Sequence, residues 1–205
     1  MIDVTIRLRN PSARMVTARR QHSLPIAGAV LAVGLLLAGC AVNDDPPLAL
    51  APNVDLDRYA GRWYVIANIP YFAERGNVGS YFDISFNGDR LVDVYNARSG
   101  DFSAPYSQYT LNGYVVPGSG NARWRESPFW PLYLSYLILY VDPDYRTALV
   151  GYPGRSYGWV LSRESTLDDA TYQSLLGRLR QLGYDPALFV RVPQTPEQVG
   201  RPGYH

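Results

Sequence analysis

The chain has 205 residues and a formal net charge of +1, with 19 basic and 18 acidic side chains. This near balance excludes a typical nucleic-acid binder, which carries a strong basic excess. The chain has one Cys, and His205 is its only His after residue 22. A disulfide, a His-based metal site and the usual Ser–His or Cys–His catalytic pairs are therefore excluded. We expect neither a metal nor a cofactor, and we assign no catalytic residue.

The first informative segment is an apolar run over residues 26–37, which follows several Arg residues and ends in small side chains. Its last residues are Leu37, Ala38, Gly39 and Cys40. A basic flank, a short apolar core and small residues are the parts of a secretory signal. The Leu-x-Gly-Cys ending resembles a bacterial lipobox, in which the Cys thiol is acylated and becomes the first mature residue. We therefore predict a signal peptide over residues 1–39 and lipid attachment at Cys40.

Two alternatives stay open for this segment. Residues 24–42 approach the roughly 20 apolar residues that span a bilayer, although the three Gly within them and the absence of basic residues directly after them favour a cleaved signal. The start of translation is either Met1 or Met15. Residues 40–54 contain three Pro and no helical or strand period, so we expect a lipidated tether there.

Short apolar and aromatic segments then alternate with turn signals at near-regular spacing. Asn87-Gly88-Asp89 is a hairpin signal, and residues 117–121 form a strong Pro- and Gly-containing turn. The predicted strands cover residues 62–68, 78–86, 90–96, 107–116, 122–126, 132–141, 147–152 and 158–163. Eight strands at this spacing predict a sandwich or a barrel. We favour a barrel, because closure removes exposed strand edges.

One segment has a helical period instead. Thr166 is a candidate N-cap, Asp168 and Asp169 would lie in the first turn, and apolar residues recur at helical spacing from Tyr172 to Leu182. Gly183 is a natural stop. A last short strand follows at 188–192. The folded domain is therefore predicted over residues 55–193, with a loose tail over 194–205.

Three motifs resemble those of the lipocalin family, in the family's order. Gly61-Arg62-Trp63 matches its G-x-W signature, and the turn containing Asp142 and Tyr145 resembles its second motif. Arg163, which ends the eighth strand just before the helix, resembles the third. With the lipobox, the chain resembles the bacterial outer-membrane lipoprotein lipocalins. The resemblance implies an all-β fold: an eight-stranded antiparallel up-and-down β-barrel, or calyx, with one C-terminal α-helix packed outside.

The motif residues are expected to be structural. The resemblance implies that Gly61 turns the chain into the barrel base, that Trp63 plugs the closed end and that Arg163 covers the Trp63 ring. Tyr145 would pack beneath the barrel. None of these residues is expected to contact a ligand.

Alternate residues of a barrel strand face inward, so residues that share a strand face are candidates for the cavity wall. The candidates for ligand binding are Tyr81, Val92, Val94, Tyr136, Ile138 and Trp159. A mostly apolar calyx with a few polar groups suits an acyl chain with a small head group. Arg90, Arg123 and Arg125 would serve as head-group partners if they lie near the mouth.

The resemblance implies a binding protein anchored to the outer membrane on its periplasmic side. It would hold a fatty acid or a lysophospholipid for lipid storage, transport or envelope maintenance. Its expected partners are this small lipophilic ligand and the membrane, through the acyl anchor, with no nucleic acid. The resemblance also implies that a homodimer can form, for which Phe129 and Trp130 are the candidate interface residues.

Two other functional classes stay open. One is a lipocalin-like enzyme that uses Asp83, Asp93 or Glu126 as acid or base, with Tyr residues as proton donors. The other is a structural lipoprotein whose barrel is filled by aromatic side chains.

Overall fold

The computed structural model describes residues 46–205. The predicted signal peptide, its Leu37-Ala38-Gly39 motif and the lipid-attachment site at Cys40 lie outside the described residues. Within residues 46–205, no helix is long and apolar enough to cross a membrane.

The described chain forms a closed antiparallel β-barrel. Its strands are β1 Gly61–Ile69, β2 Asn77–Asn87, β3 Arg90–Ser99, β4 Tyr106–Val115, β5 Arg123–Phe129, β6 Leu132–Val141, β7 Thr147–Gly151, β8 Gly158–Ser162 and β9 Val190–Arg191. Consecutive strands from β1 to β8 are hydrogen-bonded, and β8 returns to β1. Short β9 pairs with β1 on the edge opposite β8, the edge that faces β2. The predicted eight-stranded barrel is confirmed.

Two helices accompany the barrel: α1 Leu56–Tyr59 before β1, and α2 Asp169–Gln181 after β8. The predicted cap of α2 is wrong. Asp168 is the N-cap, and its carboxylate accepts from the Thr171 backbone N–H at 2.8 Å. Tyr172, Leu175 and Leu179 of α2 are buried against the outside of the barrel wall, where they meet Leu149, Val160 and their neighbours.

The barrel has a closed end and an open end. Helix α1 and Trp63 lie at the closed end, together with the β2–β3, β4–β5 and β6–β7 connections. The connections β1–β2, β3–β4, β5–β6 and β7–β8 lie at the opposite end, because successive strands run antiparallel. We call this second rim the mouth.

A seam in the wall lies between β1 and β2, which pair only from Gly61 to Tyr64. Towards the mouth, the chain after β9 fills the gap. The Val192 N–H donates to the Ile66 carbonyl at 3.0 Å, and the Pro193 carbonyl accepts from Gly79 at 2.8 Å. The Gln194 amide donates to one carbonyl on each side of the seam, at 2.8 and 3.0 Å. The described C-terminal residues therefore complete the barrel wall.

The expected loose tail over residues 194–205 is thus not what the structure has. Besides the Gln194 contacts, the His205 backbone N–H donates to the Arg191 carbonyl at 2.9 Å. The His205 imidazole lies 2.9 Å from the Asn68 side-chain oxygen. Residues 46–54 of the expected tether also pack on the domain, since Ala51 donates to the Ile138 carbonyl at 2.9 Å and Val54 to Gly120 at 2.8 Å.

A second interruption lies between β4 and β5, which pair only over Asn112–Val115. The rest of β4, from Tyr106 to Leu111, pairs with β3 on one edge and has no pairing with β5 on the other edge. The wall is therefore lower on the β5 side, next to the hairpin that joins β5 to β6.

Candidate functional site in the barrel interior

Three of the six predicted ligand-binding residues point into the barrel. Tyr136, Ile138 and Trp159 pack with the interior cluster that includes Trp63 and Trp124. Tyr136 and Ile138 are almost completely buried, whereas Trp159 is partly exposed towards the mouth. Their role in ligand binding remains a prediction.

The other three residues lie on the outer face, so the prediction that they line the cavity is wrong. Tyr81 packs outside against the Tyr64 and Tyr106 rings, with centroids 6.0 and 5.6 Å away. Val92 is 36% exposed. Val94 shares its face of β3, because successive side chains of a strand alternate between faces. The inward residues of β3 are instead Leu91, Asp93, Tyr95 and Ala97, all buried.

The structural motif residues meet at the closed end. The Arg163 guanidinium carbon lies 3.8 Å from the centroid of the Trp63 ring, and the Trp63 indole N–H donates to the Tyr59 carbonyl at 2.7 Å. Arg163 also donates to backbone carbonyls, including that of Arg62 at 2.7 Å. Gly61 has a φ of 96°, which favours glycine. These contacts fasten α1, β1 and β8 together under the barrel.

The second motif forms a tight turn between β6 and β7. Burial alone raises the pKa of Asp142, but hydrogen bonds from Thr147, Asp144 and Arg146 outweigh it and hold that pKa below its ordinary value. The Tyr145 hydroxyl accepts from the Asp55 backbone N–H at 2.8 Å. The turn thereby connects to the residue that caps α1.

Aromatic side chains fill the lower half of the barrel. The Trp124 and Tyr136 rings are stacked, with centroids 4.5 Å apart and an interplanar angle of 6°. The Tyr59 ring meets Trp124 edge-on at 5.3 Å. The Tyr59 and Tyr136 hydroxyls are 3.0 Å apart, and burial raises the pKa of both groups. We call Tyr59, Trp63, Trp124 and Tyr136 the aromatic plug.

Two acidic side chains lie inside the barrel beside the plug. Asp93 is fully buried and Glu126 is 5% exposed. Neither carboxyl oxygen of Asp93 has a hydrogen-bond partner, and neither does Oε1 of Glu126. Burial raises the pKa of both carboxyls well above the ordinary range, with a further rise for Glu126 from Asp93. We call Asp93 and Glu126 the acidic pair.

The third residue of the enzyme hypothesis is not part of this group. Asp83 lies on the outer face of β2, where its carboxylate pairs with the Arg62 guanidinium at 2.9 Å. Within residues 46–205, no group of three or more His, Cys, Asp or Glu side chains is placed to hold a metal ion.

The upper half of the interior is accessible. Tyr109 points inward, because it is paired directly with buried Tyr95, yet it is 56% exposed. Leu111 and Leu134 are only half-buried, although their cross-strand partners are inward-facing Asp93 and Glu126. The inner wall of the barrel is therefore accessible to solvent at these positions above the plug.

A polar network closes one side of the mouth. Buried Glu74 accepts from the Asn68 amide at 3.0 Å and from the Trp159 indole N–H at 2.9 Å. The Gly76 backbone N–H donates to Nδ1 of His205 at 3.2 Å, so Nε2 of His205 carries the proton and donates to Asn68. Burial raises the pKa of Glu74 to about 7 and lowers the pKa of His205.

The three suggested head-group partners are outside the calyx. Arg90 and Arg123 are exposed near the closed end. Arg125 donates to the Ser135 hydroxyl at 3.1 Å on the outer face. Exposed Phe129 and Trp130, at 67% and 82%, lie in the β5–β6 hairpin beside the lowered part of the wall.

Comparison with known proteins identifies the barrel. Residues 54–194 match the family model of the lipocalin-like domain. The chain belongs to the lipocalin family. This lipocalin is 30% identical to the outer membrane lipoprotein Blc of Escherichia coli K12 over 171 residues, which cover 83% of this chain and 97% of the relative. It is also 30% identical to temperature-induced lipocalin-1 of Arabidopsis thaliana over 161 residues, or 75% of this chain and 87% of the relative.

Solved structures agree with this fold. Insecticyanin from the tobacco hornworm Manduca sexta superimposes with a TM-score of 0.59 at 16% identity, covering 78% of this lipocalin and 91% of that chain. Lobster apocrustacyanin A1 gives a TM-score of 0.52 at 16% identity, with 73% and 92% covered. The predicted relationship to the bacterial lipoprotein lipocalins is confirmed by the near-complete match to Blc. The chain is therefore a binding protein of the lipocalin type.

Proposed function

We propose that this lipocalin binds one single-chain lipid, a fatty acid or a lysophospholipid, in the upper half of its calyx. The observation that carries this proposal is the exposure of inward-facing Tyr109, Leu111 and Leu134 above the aromatic plug. Apolar side chains that line a concavity and stay accessible are typical of a ligand site.

The interior supplies the driving force for such a ligand. Each methylene of an acyl chain gains about 0.8 kcal/mol when it leaves water. About ten buried methylenes would therefore gain about 8 kcal/mol, from which the cost of ordering the ligand is subtracted. The plug limits how deep the chain can go, since Trp124 and Tyr136 are already buried. The lowered wall beside β5 gives a longer chain a place to leave the barrel.

The first test is native mass spectrometry of the chain from residue 41 onward, which contains every described strand and helix. We expect one bound fatty acid or lysophospholipid per chain, identified by extraction. Leu134→Trp would fill the calyx and lower its occupancy at least tenfold. Its matched control is Tyr133→Trp, because Tyr133 is the neighbouring outward residue of the same strand and packs against Tyr114.

Two results would contradict the proposal. The first is a wild-type chain that is purified empty and does not bind added fatty acid or lysophospholipid. The second is a Leu134→Trp variant that binds lipid as well as Tyr133→Trp does. An empty wild-type barrel would favour the structural lipoprotein, since the plug already fills the lower half.

The anchoring proposal is a lipid-modified Cys40 at the outer membrane, on its periplasmic side. It is supported by the Leu37-Ala38-Gly39-Cys40 sequence, by Ala41 in the following position and by the name of the Blc relative, an outer membrane lipoprotein. Metabolic labelling with radioactive palmitate should mark the wild-type chain and not Cys40→Ser. A wild-type chain that stays unlabelled and fractionates without the outer membrane would contradict it.

A homodimer is part of the proposal, with the exposed Phe129 and Trp130 at its interface. Light scattering after size exclusion should give twice the chain mass for the wild type and a single chain mass for Trp130→Ser. Exposed Phe72→Ser, in the β1–β2 connection, is the control and should leave the mass unchanged. A monomeric wild type would contradict the dimer and leave lipid binding unaffected.

A further inference from the structure

The acidic pair is not explained by the proposed lipid site. A buried polar atom without a hydrogen-bond partner costs about 1–3 kcal/mol, and such atoms are uncommon in folded proteins. Here three carboxyl oxygens are in that position, both of Asp93 and one of Glu126. They lie inside one barrel, on β3 and β5.

The local architecture brings the two carboxyls to one place. Between them runs β4, whose inward positions opposite Asp93 and Glu126 are Leu111 and Gly113. A Cβ atom added to Gly113 would lie 3.2 Å from the Cγ of Glu126. Because Gly113 has no side chain, the Glu126 side chain can pack against the inner face of β4 at this position.

The described residues, 46–205, provide no cation for this pair. The chain contains no Lys, and none of the Arg side chains of residues 46–205 is buried. The Arg163 guanidinium at the closed end lies on the Trp63 ring and donates to backbone carbonyls. The other ionisable groups that interact with the pair are the hydroxyls of Tyr59, Tyr71 and Tyr136 and, from the outer face, the Asp83 carboxylate. None of these four groups carries a positive charge.

The pair borders the open part of the calyx. The cross-strand partner of Asp93 is Leu111, and that of Glu126 is Leu134. Both leucines are half-buried and lie below exposed Tyr109. An apolar wall therefore connects the carboxyls to the mouth, so a ligand tail can follow it.

We propose that Asp93 and Glu126 form a subsite at the base of the calyx that binds the ammonium group of a single-chain primary amine. A primary ammonium has three N–H donors, which matches the three carboxyl oxygens without a partner. Its positive charge supplies the counter-charge that the barrel lacks. The stacked Trp124 and Tyr136 rings lie beside the site and add a favourable aromatic surface for a cation.

This subsite rests on the proposed function, because it requires a calyx that admits a lipophilic chain. It also predicts an order among ligands with one tail. An anionic carboxylate at the base would be buried beside two acidic groups with no cation to balance its charge, so we expect a fatty acid to keep its head group at the mouth. A primary amine enters head first, and a neutral alcohol lies between the two in affinity.

Proton release accompanies the binding of the amine. Burial raises the pKa of each carboxyl and so favours the protonated form in the empty pair. An incoming ammonium favours the ionised form of the carboxyl that it contacts. That carboxyl transfers its proton to the buffer, so affinity for the amine should increase with pH.

The test compares decylamine, decanoic acid and decanol by isothermal titration calorimetry with the chain from residue 41 onward. We expect decylamine to bind at least tenfold more tightly than decanoic acid. We also expect the observed binding enthalpy of decylamine to differ between phosphate and Tris buffers, because the buffer takes up the proton that binding releases. Asp93→Asn and Glu126→Gln should each weaken decylamine at least tenfold and change decanol less than threefold. Glu164→Gln, at an exposed carboxyl after β8, is the control and should leave all three ligands unchanged.

The outcomes separate the two proposals. If decanoic acid binds as tightly as decylamine and the Asn and Gln variants leave both unchanged, the amine subsite is wrong while lipid binding stands. If none of the three ligands binds the wild type, both proposals fail. Retained decanol binding shows that a variant is folded. If Asp93→Asn does not fold, the comparison between Glu126→Gln and the wild type is the test.

Discussion

Replacing Glu74 with Gln should change how the stability of the protein depends on pH. Glu74 is 2% exposed and has a pKa of about 7 in the folded protein, against an ordinary value of 4.5. One pKa unit corresponds to about 1.4 kcal/mol. The ionised carboxylate therefore destabilises the fold by about 3 kcal/mol relative to the protonated one, even with the Asn68 and Trp159 hydrogen bonds in place.

The sign follows from proton linkage. Between pH 4.5 and 7 the folded state holds the Glu74 proton and the unfolded state has lost it, so the free energy of unfolding falls as the pH rises. Above pH 7 both states are ionised and this contribution is constant. Glu74→Gln has no proton to lose, so the variant should gain on the wild type across this window. At pH 8 the variant avoids the cost of about 3 kcal/mol for the ionised carboxylate. It loses about 1 kcal/mol of this gain because one donor of the network has no acceptor in the Gln variant. We therefore expect Glu74→Gln to be more stable than the wild type by about 2 kcal/mol at pH 8.

Urea unfolding at half-unit steps from pH 5 to pH 8 measures this difference. Asp93 and Glu126 also titrate with raised pKa values, but they are present in both proteins and cancel in the comparison. Glu164→Gln is the control, since its side chain is 69% exposed. Parallel curves for the wild type and Glu74→Gln would refute the assignment of a buried, titrating carboxyl at the mouth.

Three further substitutions, with Gly177→Ala as a control, test the rest of the barrel by chemical denaturation. Arg163→Ala removes the guanidinium from the Trp63 ring and from its carbonyl acceptors, and should lower the free energy of unfolding by about 3 kcal/mol; a loss below about 0.5 kcal/mol would show that the closed end holds without it. Gly113→Ala places a Cβ 2.5 Å from a backbone oxygen of β5 and should cost about 1–3 kcal/mol. Gly177→Ala, which meets nothing within 4 Å on α2, should instead stabilise by up to about 1 kcal/mol, and equal effects at the two glycines would contradict the close approach of β4 and β5. Gln194→Ala removes the amide that joins the two sides of the seam and should cost about 1–3 kcal/mol; an unchanged midpoint would mean that the seam is closed by other contacts.

The sequence predicts the strands well because their spacing and turns are local signals. All eight strands of the barrel lie where the alternation and the turn residues indicate, and the three motifs identify the closed end. Helix α2 is also found, but its start is displaced: both Thr166 and Asp168 are good caps, and Asp168 is the one used.

The choice of inner face is where sequence reasoning fails. In β3, the run Leu91-Val92-Asp93-Val94-Tyr95 has apolar residues on both faces, and its single charged residue points inward. The usual rule that polar residues face solvent therefore selects Val92 and Val94 for the interior, which is the wrong face. Only the pairing with β2 and β4 determines the orientation, and that pairing is a long-range property.

The polar network around Glu74 at the mouth is likewise not predictable from a local sequence pattern. Glu74 lies in a loop, where a charged residue is ordinarily exposed. Its carboxylate accepts from Asn68, six positions earlier, and from Trp159, 85 positions later, and His205 in turn bonds Asn68. A mismatch between residue type and burial of this kind is visible only after folding.

The seam also determines when the barrel can form. Gln194 binds the Val65 carbonyl across 129 positions of sequence, and His205 reaches Asn68 across 137. Contacts at such separations require closure of very long loops, and folds dominated by them form slowly. A chain emerging from a ribosome or a translocation channel can build the hairpins from β2 to β8 in order, but β1 has no complete set of neighbours until residues 190–205 are available. Closure of this barrel therefore waits for a segment that is made more than a hundred positions after β1.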